Sequence, residues 1–210
     1  MEKLTLIKVG GKIVEEADTL KHLLRDFAAI EGYKVLVHGG GRSATKIASQ
    51  LGIESKMVNG RRITDADMLH VVTMVYGGLV NKNIVAGLQA LDVNALGLTG
   101  ADMNIMRSEK RPVAEVDYGF VGDVKEVNAD LLATLIKQGI VPVLLDENDD
   151  DSVIPELSRE EFQHYVEEGV IQGGMIPKLE NAFQAIDAGV KEVIITKASE
   201  IEKGNGTHIA

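Results

Sequence analysis

The amino-acid sequence predicts an α/β protein, an open αβα sandwich with a mainly parallel central sheet. Three observations support this fold class. Short runs rich in β-branched residues alternate with longer amphipathic stretches along the 210-residue chain. Two of the short runs end in glycine clusters, and a helical pattern follows each cluster directly. Apolar residues make up 45% of the chain, an ordinary fraction for a globular protein with a buried core.

The first elements alternate strand and helix. Residues 4–9 predict a buried strand because the run is almost wholly apolar or β-branched, and Gly10 ends it. Residues 15–30 place apolar side chains at helical spacing. The next run ends at a glycine cluster in the same way. The elements that follow are a strand over 34–38, a helix over 42–51, a mostly helical stretch over 65–90 and a strand over 93–98.

The second half contains a hairpin before it returns to strands and helices. Residues 105–127 alternate in polarity and contain two glycines, which predicts a β-hairpin. Asn128 predicts the N-cap of a helix, and Ser158 with Glu161 forms a capping box at the start of another. The predicted elements are helices over 129–138, 158–169 and 174–188 and strands over 140–145 and 192–196.

Composition excludes several classes of function. Lys and Arg total 22 against 32 Asp and Glu, a formal net charge of −10, so we expect neither nucleic acid nor an anionic membrane as a partner. The absence of cysteine excludes disulfides and thiol chemistry. The five histidines lack metal-ligand spacing, so no metal site built from protein side chains is predicted. Without a signal-peptide pattern or a long apolar run, we expect a soluble, cytoplasmic protein.

Both glycine clusters are candidates for anion binding. Gly10 and Gly11 end the first strand, and residues 39–41 end the second. Glycine lets backbone N–H groups approach an anion, and a helix N-terminus favours negative charge. The alternative is that these glycines only make tight turns. The sequence has neither a P-loop nor a GxGxxG motif, which argues against a Walker-type NTPase or a nicotinamide-binding domain.

Three basic residues are further candidates. Lys8 lies in an apolar strand directly before the glycine turn, where its ammonium could reach a phosphate or carboxylate, or simply extend into water. Lys178 lies near a helix start, where the helix dipole disfavours a cation unless an anion is bound. Arg62 follows a turn and could clamp a carboxylate in bidentate fashion, although a solvated basic turn is an equal alternative.

The combination of these motifs resembles the N-acetylglutamate kinases of the amino acid kinase family, in the form found in Bacteroides-type bacteria. The resemblance spans residues 4 to 209 and is far more specific than any one motif. The segments concerned are Lys8–Gly11, His38–Gly41, Asn59–Thr64, Gly97–Asp102, Gly119–Asp123, Gly173–Lys178 and Gly206–Ile209.

The resemblance implies a reaction and a role for each candidate. An ATP- and Mg²⁺-dependent kinase would phosphorylate the side-chain carboxylate of an N-acylglutamate, the second step of arginine biosynthesis. The residues at the ATP phosphates would be Lys8, Gly10, Gly11 and Lys178, and the two lysines would also stabilise the transition state. The residues that bind the N-acylglutamate would be Gly40, Gly41 and Arg62. Such catalysis is mostly positioning and electrostatic stabilisation.

The sequence departs from the family pattern at one point. Roughly 45–50 residues of that pattern, judged from the resemblance alone, are missing at the junction of Val143 and Leu144, including an N-x-N-A-D motif. We therefore expect a single kinase domain over residues 1–210, with a substrate-binding part over about 1–143 and the remainder of a nucleotide-binding part over 144–210. Either the protein contains a further segment at this junction, which we favour, or it carries a true deletion.

Some alternatives stay open. The chain could be a glutamate 5-kinase or carbamate kinase of the same fold, although the Asn59–Thr64 segment argues for the N-acylglutamate branch. A true deletion would leave an inactive ligand-binding protein. The acyl group could be acetyl or succinyl, because Arg61 and the hairpin residues Arg107, Lys110 and Arg111 could meet a second carboxylate. Relatives that arginine inhibits carry an extra N-terminal helix, so the resemblance predicts a homodimer without that feedback.

Overall fold

The chain folds into two compact units, Met1–Glu147 and Asn148–Ala210. The computed structural model describes residues 3–58, 61–145, 158–167, 171, 175–196 and 206–209, with Lys12, Pro177 and Lys178 described by their backbone alone. Each unit has a hydrophobic core of its own. The predicted single kinase domain and its division into substrate and nucleotide parts stay predictions.

The first unit contains the parallel sheet and the helices that cover it. Its strands are β1 (Leu4–Val9), β2 (Tyr33–His38), β3 (Met57–Val58), β4 (Arg61–Arg62), β5 (Ala95–Leu98), β6 (Met106–Lys110), β7 (Gly122–Val127) and β8 (Val141–Leu145). Its helices are α1 (Gly11–Glu15), α2 (Ala17–Ala29), α3 (Gly41–Gln50), α4 (Ala66–Val72), α5 (Asn81–Gln89) and α6 (Ala129–Lys137), and a π-helical segment (Thr73–Val80) joins α4 to α5.

The main sheet has the strand order β1-β2-β8-β5, and all of its pairs are parallel. This confirms the predicted α/β class. The register aligns Val9 with His38, His38 with Leu145, and Leu98 with Leu144. The carboxyl ends of the four strands therefore meet at one edge of the sheet, where ligands bind in open α/β folds.

Strand β1 differs from its prediction. It lies at an edge of the described sheet, and its exposure alternates along the strand instead of staying low. Leu4 and Leu6 are 54% and 59% exposed. The prediction rested on a run that is apolar on both faces, a pattern that is typical of a fully buried parallel strand. The prediction of a buried strand is therefore wrong for the even-numbered positions of β1.

Residues 66–89 form one long helix, as predicted, but its centre is π-helical. By length and composition alone this 24-residue helix could cross a membrane, since its apolar window has a mean hydropathy of 1.3, yet 44% of that window is buried inside the protein. It packs against α2, α3 and β5, so it is a core helix of the first unit. The side chain of Asp65 caps its start by accepting from the Met68 amide at 2.9 Å.

The predicted hairpin is confirmed as the antiparallel pair β6–β7, with a bulge between Arg107 and Ser108. Sequence reasoning missed the short pair β3–β4, which presents Arg62. Backbone hydrogen bonds between Thr64 and Tyr118 and between Phe120 and Thr64, at 2.9 and 2.7 Å, join the residues after β4 to the hairpin loop. The Asn128 cap of α6 is also confirmed, with its side chain accepting from the Leu131 amide.

The second unit contains α7 (Arg159–Glu167), α8 (Met175–Asp187), β9 (Val193–Ile195) and β10 (Thr207–Ile209). The predicted capping box is present, because the Ser158 amide donates to Glu161 and the Glu161 amide donates to Ser158. β9 and β10 pair antiparallel, and β10 was not predicted. The core of this unit includes Phe162 and Phe183, whose ring centroids lie 5.6 Å apart.

Candidate substrate and nucleotide site

The candidate site lies at the carboxyl edge of the β1-β2-β8-β5 sheet. The two glycine turns are neighbours there, because the Gly39 amide donates to the Val9 carbonyl at 3.2 Å. Gly10 then leads into α1, and Gly40 leads into α3. The strand ends thus bring both predicted anion-binding turns to one edge.

The turn after β2 presents backbone N–H groups at the start of a ten-residue helix. Within the part of the chain that the structure describes, the Gly40 and Gly41 amides meet no hydrogen-bond acceptor. A Cβ added at Gly40 would lie 2.7 Å from Cδ1 of Tyr76, so the close approach of the Tyr76 ring requires glycine at this position. Free amides and the helix dipole make this turn suitable for a carboxylate.

Arg62 lies beside the same turn. Its Nη2 donates to the Gly41 carbonyl and to Thr45 Oγ1, each at 2.9 Å, and its Nη1 donates to Ser55 Oγ. These contacts fix the guanidinium against the first turn of α3. A guanidinium has five N–H donors, so the Nε–H and one Nη1–H remain for a ligand among the described contacts. The structure therefore brings three predicted substrate residues, Gly40, Gly41 and Arg62, into one place.

The nucleotide candidates are placed less completely. Lys8 is exposed near the end of β1, opposite Val37 in the register, with Gly10 two residues further on. Lys178 lies in the first turn of α8, in the other unit, and its side chain falls outside the described residues. Gly173 and Gly174 of the same motif also lie outside the described residues. Whether Lys8 and Lys178 meet at a phosphate thus stays a prediction.

Gly97–Asp102 was part of the family resemblance, but the hydrogen-bonded turn that follows β5 was not predicted from the sequence. The Asp102 carboxylate accepts from the hydroxyl and the amide of Thr99, at 2.7 and 2.6 Å. Both hydrogen bonds hold the pKa of Asp102 below its usual range, and the bond from the Thr99 hydroxyl has the larger effect. The carboxylate is therefore ionised at neutral pH and stabilises this loop at the carboxyl edge. An Asp three residues after a Thr in a strand-end turn was the available signal.

Two of the arginines named for a second carboxylate, Arg111 and Arg107, lie opposite carboxylates at the β6–β7 hairpin. Arg111 Nε donates to Asp123 Oδ1 at 2.9 Å, and this contact is the main reason that the pKa of Asp123 lies below its usual range. Arg107 lies 3.5 Å from Glu126 in an exposed pair. A second substrate carboxylate would have to compete with these partners.

The comparisons with known proteins identify the family. The model of the amino acid kinase family matches residues 3–146. An acetylglutamate kinase of Parabacteroides distasonis is 69% identical, with all of both chains covered. The chain belongs to the amino acid kinase family, among its acetylglutamate kinases. A second acetylglutamate kinase, from Bacteroides thetaiotaomicron, is 64% identical over 99% of this chain and 98% of that protein.

Solved structures confirm the amino acid kinase fold. The N-acetylglutamate synthase of Neisseria gonorrhoeae superposes with a TM-score of 0.81 at 18% identity, over 99% of this chain and 59% of that one. A carbamate kinase of Giardia superposes with a TM-score of 0.66 at 15% identity, over 99% of this chain and 98% of that one. At these identities the likeness concerns the fold alone.

The alignment with the Parabacteroides distasonis kinase has a further feature. It extends over 254 positions, whereas this chain has 210 residues, so 44 positions have no residue of this chain. In the structure, Val143 and Leu144 are consecutive buried residues in the middle of β8. The predicted junction thus lies inside a continuous strand of the amino acid kinase sheet.

Proposed function

We propose that the chain is an acetylglutamate kinase, which transfers the γ-phosphoryl group of ATP to the side-chain carboxylate of N-acetyl-L-glutamate in arginine biosynthesis. The observation that carries this proposal is the 69% identity to a full-length acetylglutamate kinase. The geometry agrees with it, because free amides and a fixed guanidinium converge beside one strand end, where they suit the α-carboxylate of an amino acid derivative.

In this proposal each candidate residue has one task. Arg62 binds the α-carboxylate, and the Gly40 and Gly41 amides hold the substrate so that its side-chain carboxylate faces the γ-phosphorus. That carboxylate is ionised at neutral pH and attacks directly, so the protein supplies no nucleophile and no strong base. A phosphorus–oxygen bond to ADP breaks as the acyl phosphate forms. Lys8 and Lys178 stabilise the charge of the phosphoryl group in transit.

Magnesium would be held mainly by the nucleotide. Among the described residues no three His, Asp or Glu side chains converge to form a metal site. The hard cation prefers phosphate and water oxygens and often takes only one or two protein carboxylates. On this preference we propose that Mg²⁺ enters the site with ATP. Gly10 and Gly11 would donate their amides to the phosphates of that nucleotide.

We also propose that the active form is a cytoplasmic homodimer. Met74 and Leu79, on the long central helix, are 55% and 50% exposed in the single chain. Two such helices could bury these side chains against each other across a two-fold axis. Sedimentation of the purified protein would show a dimer if this is correct, and Met74→Glu with Leu79→Glu should give a monomer.

The acyl group is the open part of the substrate. The carboxylate partners of Arg107 and Arg111 favour acetyl over succinyl, because a succinyl carboxylate would have to displace them. A site built around a substrate charge discriminates by more than about 10-fold in kcat/KM. Assays of N-acetylglutamate and N-succinylglutamate side by side would decide it, and a preference for succinyl would contradict acetyl as the natural group.

The central experiment measures acyl phosphate formation with N-acetylglutamate, glutamate and carbamate as alternative acceptors. We expect activity with N-acetylglutamate only. Activity with glutamate or carbamate would assign the chain to another branch of the family. A second candidate, a binding protein without transfer, is favoured by the 44 unmatched positions of the alignment. It predicts calorimetric binding of N-acetylglutamate with no ADP released.

A further inference from the structure

Two buried polar side chains lie directly beneath the substrate turn, outside the residues proposed to contact a ligand. His38, the last residue of β2, and Asn81, the first residue of α5, are both 0% exposed. Buried polar groups are costly unless their hydrogen bonds are complete. Each of these side chains has its bonds, and together they connect the turn to β8 through the Val143 carbonyl.

The contacts of Asn81 determine the orientation of its amide. Its Nδ2 lies 3.1 Å from the Val143 carbonyl, which can only accept, and its Oδ1 lies 3.2 Å from the Lys82 ammonium, which can only donate. Lys82 also donates to the Gly97 carbonyl at 3.0 Å. A Cβ at Gly97 would lie too close to Asn81 Oδ1, at 1.9 Å, so glycine is needed there for this arrangement.

The orientation of Asn81 in turn determines the tautomer of His38. Asn81 Nδ2 lies 2.9 Å from His38 Nε2 and can only donate, so Nε2 carries no proton. The ring proton therefore lies on Nδ1, which donates to the Gly39 carbonyl at 2.8 Å. Burial lowers the pKa of His38 more than its hydrogen bond to Gly39 raises it, so the ring stays neutral. All the donors and acceptors agree on one protonation state.

Holding the Gly39 carbonyl also orients the next amide. A trans peptide is planar, with its C=O and N–H in opposite directions, so the bond from His38 turns the Gly40 N–H away from the ring. That N–H is one of the amides without an acceptor among the described residues. The peptide between these glycines would otherwise be free to rotate, because glycine has few conformational restrictions.

The π-helical segment brings a second contact to the same turn. The backbone N–H of Asn81 donates to the Tyr76 carbonyl, a bond that spans five residues. Residues five apart in an α-helix point about 140° away from each other, since a turn takes 3.6 residues. The wider π turn allows Tyr76 to cover Gly40 while Asn81 reaches His38 beneath it. Single π turns inside helices are frequent at functional sites.

We propose that Asn81 and His38 are positioning residues, which fix the Gly39–Gly40 peptide so that the Gly40 N–H faces the bound acylglutamate. The inference rests on the proposed function, since the ligand of that N–H is taken to be this substrate. Neither side chain touches the substrate. Asn81 sets the tautomer of His38, His38 holds the Gly39 carbonyl, and the peptide plane transmits this to the Gly40 amide.

Two substitutions of His38 separate this role from simple packing. In His38→Asn the side-chain amide nitrogen takes the place of Nδ1 and can still donate to the Gly39 carbonyl. In His38→Gln the side-chain amide oxygen takes the place of Nε2 and can still accept from Asn81 Nδ2, but no donor holds the Gly39 carbonyl. Both are neutral and polar, and asparagine is the smaller of the two, so a packing role at this buried position would harm His38→Asn at least as much as His38→Gln.

We expect His38→Gln to raise the KM for N-acetylglutamate by about 10- to 100-fold, with the KM for ATP changed less than about twofold. His38→Asn should keep the KM for N-acetylglutamate within about threefold of wild type, because the hydrogen bond to Gly39 survives. Thermal unfolding of both variants verifies that they fold. Equal KM values for the two variants, or a rise in the KM for ATP alone, would overturn the inference.

A spectroscopic measurement tests the same arrangement without catalysis. ¹⁵N NMR of the imidazole nitrogens in the wild-type chain should show His38 as the Nδ1–H tautomer, assigned by the loss of its signal in either variant. An Nε2–H tautomer would overturn the inference. If the wild-type chain neither binds nor phosphorylates N-acetylglutamate, the proposed function fails, and the tautomer still decides whether this network holds Gly39.

Discussion

At the scale of single residues, Arg62 shows how contacts with the protein prepare a side chain for a ligand. Three contacts to α3 and Ser55 hold its guanidinium in place before any substrate arrives. We predict that Arg62→Lys raises the KM for N-acetylglutamate by about 10-fold or more, because lysine keeps the charge but not the planar fork. Steady-state kinetics at saturating ATP would measure this.

The neighbouring Arg61 is a matched control for Arg62. It is exposed, on the same short strand, and faces the other side. Arg61→Lys should leave the KM for N-acetylglutamate nearly unchanged. If Arg62→Lys instead affected the KM for ATP alone, Arg62 would belong to the nucleotide site.

Lys8 is the residue on which phosphoryl transfer itself depends in the proposed mechanism. We predict that Lys8→Ala lowers kcat by about 10²–10³-fold, since it removes a positioned charge from the transferring group, while the KM for N-acetylglutamate changes little. We expect the same result for Lys178→Ala. Lys3→Ala, directly before the opposite end of the same strand, is the control and should keep its kcat. A kcat within threefold of wild type for both Lys8→Ala and Lys178→Ala would show that the assigned roles are wrong.

At the scale of elements, the link between the hairpin loop and the strand of Arg62 depends on one glycine. Gly119 has a φ of +74°, and a Cβ there would lie 2.2 Å from the Thr64 carbonyl oxygen. Gly139 has a similar φ of +77° but open space around it. Both alanine variants bear a left-handed strain of about 1–2 kcal/mol. The free energy of unfolding of Gly119→Ala should fall by about 1–3 kcal/mol more, because its Cβ would clash with the backbone of Thr64.

Urea unfolding of Gly119→Ala and Gly139→Ala would measure this difference. Because Thr64 lies two residues after Arg62, Gly119→Ala should also raise the KM for N-acetylglutamate. Equal loss of stability in the two variants would mean that the loop moves freely away from Thr64, and that it does not position Arg62.

The turn after β5 gives a prediction about pH. The Thr99 hydroxyl and amide hold the pKa of Asp102 below its unfolded value, so the stabilisation is present above the ordinary carboxyl range. It is lost as the pH falls through the lowered, folded-state pKa. Asp102→Asn should therefore lower Tm at about pH 7, and the difference from wild type should shrink below about pH 4. A difference that does not depend on pH would contradict this origin.

The elements and the substrate turn were largely predictable from the sequence, because period, caps and glycines are local signals. The predicted boundaries of β2 and α8 differ from the structure by one residue. The His38–Asn81 contact was not predictable, because it joins residues 43 positions apart. It also depends on the π-helical segment before Asn81, which no local sequence pattern predicts. The exposure of Leu4 and Leu6 was missed for a related reason, because an edge strand depends on what lies beside it.

At the scale of the whole molecule, the exposed edge of the sheet and the length of the alignment both bear on whether the protein contains a further segment between Val143 and Leu144. Leu4 and Leu6 are more than half exposed on an edge strand, and 44 positions of a 69% identical kinase have no residue of this chain. Exposed apolar edge strands promote aggregation, so proteins usually cover them. A segment inserted between Val143 and Leu144 would be of the size of a strand–helix–strand unit, which is about 30 residues or more.

The mass of the protein as the cell makes it distinguishes a further segment at the Val143–Leu144 junction from a true deletion. The 210-residue chain weighs 22.6 kDa, so 44 further residues would add about 5 kDa. We expect the larger value in intact-mass spectrometry of the protein purified from its native source, because the 210-residue chain leaves Leu4 and Leu6 exposed on an apolar edge that proteins usually cover. Peptides from a digest should then separate Val143 from Leu144. A mass of 22.6 kDa, with a peptide that contains Val143 and Leu144 in succession, would establish a true deletion. It would also make kinase activity of the 210-residue chain the sharpest test of whether the missing motif is needed for transfer.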